Sequence, residues 1–75
     1  MPAPRDGARA RRAKNIKRRR KALGLTQAQV GERTGVSRTQ ISRYEKNLDA
    51  PSNSTLDHLL AALECSYEDL NRKDE

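Results

Sequence analysis

The chain has 75 residues, with 16 Lys and Arg against ten Asp and Glu, one cysteine, one histidine and no Phe or Trp. That length suits one small domain; the cysteine count excludes an internal disulfide, and no Cys/His cluster has metal-ligand spacing. No apolar run approaches the roughly 18 residues that span a bilayer, and no apolar stretch follows the basic N-terminus as in a secretory signal. A reducing, cytoplasmic setting is therefore the expectation.

Charge is unevenly placed. Residues 1–46 hold 14 of the 16 basic side chains and a balance of +11, whereas residues 47–75 have a balance of −5. Such polarity suits a protein that turns one side to a polyanion. Counterion release makes a phosphate backbone the natural target of the basic half.

In chain order, residues 1–7 carry two prolines and a glycine and are expected to be disordered. Residues 1–10 then form a disordered basic arm with Arg5 and Arg9, running on through Arg11 and Arg12 into the first helix. In that helix Ala13, Ile16, Arg20 and Leu23 make a narrow stripe at spacings of three and four, and Gly24 stops it. Thr26 with Gln29 reads as a capping box for a second helix, with Val30 and Thr34 inward and Gly31 where another helix can approach closely. Gly35 breaks that helix, and Ser37 with Gln40 repeats the capping box.

Two short helices about a glycine turn give a helix-turn-helix layout at residues 26–47. Lys46, Asn47 and Asp49 end the third helix, and Pro51 keeps the next segment extended. Asn53 or Ser54 caps a fourth helix with a Leu56, Leu59, Leu60, Leu63 stripe; Ser66 with Asp69 opens a last helix from Tyr67 to about Asn71. The fold class read from these signals is all-α, with five helices. Its domain spans 11–72, followed by a tail at 73–75.

On the third helix, Ile41, Tyr44 and Glu45 share one side, while Thr39, Ser42, Arg43 and Lys46 point the other way with Arg38 at the first turn. Tyr44 reads as core, because the chain lacks the aromatic set of a single-strand binder. His58 reads as exposed, and Cys65 as a small buried hydrophobe.

The segment LGLTQAQVGERTGVSRTQISRYEKN at 23–47, followed by Pro51, Leu56, Leu59, Leu60, Leu63, Ser66 and Leu70, resembles the Cro/repressor-type helix-turn-helix family, also called XRE. The resemblance covers residues 16–70, about three quarters of the chain. It implies a five-helix repressor-like domain that binds double-stranded DNA with helix 37–46 in the major groove. Arg38, Thr39 and Arg43 are then the base contacts, Arg38 first, since arginine grips guanine O6 and N7 bidentately.

Phosphate contacts expected on the same basis are Gln27, Ser37, Gln40, Ser42, Lys46, Asn47 and Arg19. Gln40 has the competing reading of serving only its cap. Asn47 stands where a glycine is common and tolerates the left-handed conformation. The resemblance also implies an ion pair between Arg20 and Glu45 that sets the angle of the recognition helix. A homodimer on an inverted repeat follows, with Thr55, Ser66, Tyr67 and Asp69 as its surface, forming fully only on DNA.

No nucleophile–base–acid set, phosphate loop or metal cluster points to an enzyme, and no cofactor or small-molecule ligand is implied. The expected role is a transcriptional regulator of the repressor kind. A restriction-modification controller, an antitoxin-type autoregulator, a coactivator-like protein-binding module and an RNA-binding basic protein remain as alternatives.

Overall fold

A computed structural model of the chain describes residues 4–71, without the side chains of Pro4, Arg5, Asp6 and Ala8. Five helices make up the fold: α1 (Pro4–Ala22), α2 (Gln27–Thr34), α3 (Arg38–Glu45), α4 (Asn53–Leu63) and α5 (Tyr67–Asn71). The expected all-α class with a central helix-turn-helix is the observed one.

The N-terminus departs from expectation. Residues 4–10, read as a disordered arm, are the first turns of α1. Proline at the first helical position gives up no hydrogen bond and has φ already set, and the Ala and Arg residues that follow are good helix formers. Residues 1–3 of the arm, the Arg5 side chain and the tail at 73–75 lie outside the described residues.

Stripes at helical spacing on the five helices meet in one core of Ile16, Val30, Ile41, Tyr44, Leu56, Leu59, Leu63 and Leu70, with Leu25, Val36, Leu60 and Cys65 packed at its edge. Each fully buried leucine or isoleucine contributes about 1.5–3 kcal/mol relative to exposure. Tyr44 is core, as its side of α3 requires, and His58 is exposed.

Four helices end on residues in the left-handed conformation, Gly24, Gly35, Asn47 and Glu64. At Asn47 its own N–H bonds back to Tyr44 O and that of Leu48 to Arg43 O, which satisfies the last carbonyls of α3. Gly31 meets a different demand. An added Cβ there would lie 2.5 Å from the Val36 carbonyl oxygen, so only glycine lets the turn fold back against α2.

The start of α4 is also displaced from the expected one. Ser52 is the cap, its side chain accepting from Thr55 N–H, and Asn53 is the first helical residue. Serine, with β-region backbone at φ −66° and ψ 167°, provides the acceptor one residue earlier than expected.

Candidate nucleic-acid interface

Local chemistry positions α3 first. Ser37 accepts a hydrogen bond from Gln40 N–H at 3.1 Å and starts the helix. Ile41 is fully buried and Tyr44 is 7% exposed, which turns Arg38, Thr39, Arg43 and Lys46 to the surface and leaves Gln40 and Ser42 half-exposed. The helix therefore offers a polar and cationic outer face while its inner face is locked in the core.

The angle of α3 is fixed by Glu45. Its Oε2 accepts from Arg20 Nε at 2.6 Å and its Oε1 from Arg20 Nη2 at 3.1 Å, with side-chain exposures of 11% for Arg20 and 3% for Glu45. Arg20 Nη1 also donates to Leu25 O, and Gln27 Nε2 donates to Glu45 Oε1 at 3.1 Å. One carboxylate thus gathers donors from α1 and α2, and Arg20 further ties the connecting turn. A side-on arginine–carboxylate pair constrains direction as well as distance.

The capping box at α2 is complete, with Thr26 and Gln29 bonded reciprocally. An open groove lined by Gly24, Thr26, Gln27, Ala28 and Arg38 joins the N-terminus of α2 to the start of α3. Free N–H groups at a helix start attract anions, so the groove unites that field with the Arg38 cation.

Ser37 and Gln40 do not form the second capping box. The Gln40 side chain instead donates from Nε2 to Asp49 Oδ2 at 3.0 Å. Arg43 Nε donates to the same oxygen at 2.8 Å. Those two bonds, Arg43's first, hold the Asp49 carboxyl below the usual carboxylate range, with a lesser attraction from Arg9. Sequence reading assigned Asp49 only to the end of the helix; its spacing of nine from Gln40 and six from Arg43 matches no helical period.

Two of the basic side chains named from the sequence have partners within the chain. Arg19 donates through Nε to Leu63 O at 2.8 Å and through Nη2 to Glu64 O at 3.0 Å, so it satisfies the C-terminal carbonyls of α4. Arg12, counted in the basic arm, donates to Asn71 Oδ1 and Tyr67 Oη and lies 5.5 Å from the centre of the Tyr67 ring. Carbonyls left without a partner at a helix end, and an aromatic face, both attract arginine. Beside them Asn15, buried and unremarked in the sequence, donates to Leu70 O at 2.6 Å.

The residues expected at a dimer surface already have partners within the chain. Thr55 bonds Ser52, Ser66 and Asp69 cap α5 reciprocally, and Tyr67 accepts from Arg12. Cys65 is half-buried, and burial pushes its thiol pKa up, so it behaves as a neutral apolar group. Among the described residues no three of His, Cys, Asp and Glu could hold a metal ion together, and no helix is long and apolar enough to cross a membrane.

The sequence matches the Helix-turn-helix family over residues 16–70. It is 39% identical over 59 residues to the repressor protein C2 of Salmonella phage P22, covering 79% of this chain and 27% of that protein. It is 36% identical over 62 residues to the antitoxin PezA of Streptococcus pneumoniae, covering 83% of this chain and 39% of that protein. The chain thus spans well under half the length of these relatives. Among solved structures, the P22 c2 repressor in complex with a synthetic operator superposes with a TM-score of 0.77 at 36% identity, over 84% of this chain and 96% of that one.

Proposed function

The chain belongs to the XRE-type helix-turn-helix family, and on that premise we propose that it is a sequence-specific DNA-binding repressor that lays α3 in the major groove. The carrying observation is the division of α3, with Ile41 and Tyr44 buried, Glu45 gripped by Arg20, and Arg38, Thr39 and Arg43 exposed. A face held this rigidly can present side chains to base edges in one register. The likeness to a repressor bound to its operator supports the same orientation.

Arg38 leads the helix into the groove and takes a guanine edge, Thr39 meets the neighbouring base, and Arg43 reads one turn further on. Ser37, Ser42, Lys46 and Asn47 line the phosphates on either side. Gln27, at the N-terminus of α2, adds the helix-end field to that contact. Arg9 and Arg11 on α1 extend the cationic surface, a helical counterpart of the expected arm.

Two copies bind an inverted repeat with half-sites about 34 Å apart, meeting through the acidic half near Thr55, Ser66, Tyr67 and Asp69. The protein works in the cytoplasm, needs no cofactor and carries out no catalysis. The pneumococcal antitoxin relative favours a second reading, an antitoxin-type autoregulator with the same DNA contacts.

Selection of bound duplexes from a random pool tests the reading. An enriched inverted repeat is the expected result, and a pool without enrichment overturns it.

A further inference from the structure

Asp49 is a carboxylate on a surface otherwise suited to a polyanion. It lies in the loop between α3 and α4, and its Oδ2 accepts from Arg43 Nε at 2.8 Å and Gln40 Nε2 at 3.0 Å. Gln40 and Arg43 are three apart on α3, so one oxygen gathers two neighbouring side chains of the proposed reading helix.

Stability does not account for this arrangement. The Arg43 and Asp49 side chains are 46% and 44% exposed, and ion pairs that open to solvent contribute little to folding. Toward DNA, a negative charge at this place weakens every nearby phosphate contact. Its presence therefore calls for a compensating role in recognition.

The bond geometry supplies one. Arginine has five N–H donors in a rigid plane. Asp49 takes the Nε–H, which leaves the Nη1 and Nη2 ends of Arg43 available and narrows the orientations open to the guanidinium. That end is suited to a bidentate grip on guanine O6 and N7. Unheld, the same side chain is a flexible exposed cation that pairs with any phosphate within reach.

We propose that Asp49 is a specificity-determining positioning residue, holding Arg43 through Nε so that the terminal nitrogens read a base instead of pairing indiscriminately with phosphate. The proposal rests on α3 being the base-reading helix. Asp49 itself touches no base; it acts through Arg43, and secondarily through Gln40. Arg9 of α1 adds a weaker attraction on the carboxylate.

The test uses the full chain. Duplexes selected by the wild type, every single-base variant of the best one, and a scrambled duplex are titrated at one salt concentration with wild type, Asp49→Ala and Asp49→Asn. Asp49→Ala is expected to bind the scrambled duplex several-fold more tightly and the selected duplex more weakly. Discrimination then falls about tenfold at the base pair Arg43 reads and stays unchanged elsewhere.

Asp49→Asn keeps a side-chain oxygen for Arg43 Nε and is expected to retain part of that discrimination. Equal changes in affinity for all duplexes, or an even loss at every position, overturn the positioning role. A wild-type protein that selects no sequence overturns the DNA reading and this role together. Selection by wild type with an intact Asp49→Ala profile overturns this role alone.

Discussion

Arg20 holds Glu45 side-on, with Nε on one carboxylate oxygen and Nη2 on the other, and both side chains are almost withdrawn from water. This pair joins the long basic helix α1 to α3. Gln27 adds a third donor to the same carboxylate, so the α2–α3 angle depends on one acidic group. Removing one partner of a buried pair leaves the other charged and poorly solvated, at a cost of about 3–5 kcal/mol. Arg20→Met is therefore expected to lower Tm by about 10 °C or more in thermal denaturation followed by circular dichroism. The double variant Arg20→Met with Glu45→Leu should recover much of that loss; equal melting of single and double variants would refute the buried-pair account.

Gly31 gives a steric prediction. A methyl group there meets the backbone oxygen of Val36, which has no side-chain freedom with which to yield. Gly31→Ala is expected to cost about 1–3 kcal/mol and to shift α3 relative to α2. Calorimetry measures the first effect. The second should show as weaker binding of the selected duplex at temperatures where the variant is fully folded.

Glu64 offers a change in the opposite direction. It adopts φ 56° after α4 without being glycine or asparagine, and its carbonyl, which Arg19 binds, belongs to the backbone. Glu64→Gly relieves the left-handed strain and keeps that bond. A gain of about 1 kcal/mol is expected, readable as a Tm higher by several degrees. An unchanged or lower Tm would contradict it.

The Asp49 bridge has a pH signature. The folded carboxyl titrates below its unfolded value because Arg43 and Gln40 bond the charged form. Its contribution is therefore present above the ordinary carboxylate pKa and is lost as pH falls through the lowered folded value. Carbon-detected NMR titration should find the Asp49 midpoint below the ordinary carboxylate value, and the midpoint should rise in Arg43→Ala. A midpoint unmoved by that substitution would show that the bridge does not form in solution.

The two groups of basic residues on α1 should separate in binding experiments. Removal of residues 1–10 is expected to weaken binding to all duplexes alike and to flatten its salt dependence. Arg12→Ala should leave the salt slope unchanged and loosen α5, seen as faster amide exchange at Leu70. An unaltered salt slope after the deletion would remove residues 1–10 from the phosphate-binding surface.

Much of the fold is legible in the sequence because its signals are local. Thr26 and Gln29 mark a helix start, Gly35 and Asn47 mark ends, and the leucines of α4 fall at helical spacing. Glu45 also betrays itself, as a charge on an inward face that needs a partner. The unread features depend on residues far apart in the chain. Arg12 meets Asn71 across 59 positions and Arg19 meets Leu63 across 44, and no periodicity records such pairs. Asp49 escapes for a related reason: as a loop residue its partners depend on how the chain turns after α3.

Within the eight residues of α3, the inward group of Ile41, Tyr44 and Glu45 shares no member with the outward group of Arg38, Thr39 and Arg43. On the proposed function, the outward set is therefore interchangeable. Mutation can rewrite its message while the scaffold stays as it is, since exposed substitutions usually change stability by no more than about 0.5 kcal/mol. Drift between operators need not pass through unfolded intermediates. The exception is Arg43, whose vocabulary is shared with Asp49, so these two positions are expected to change together.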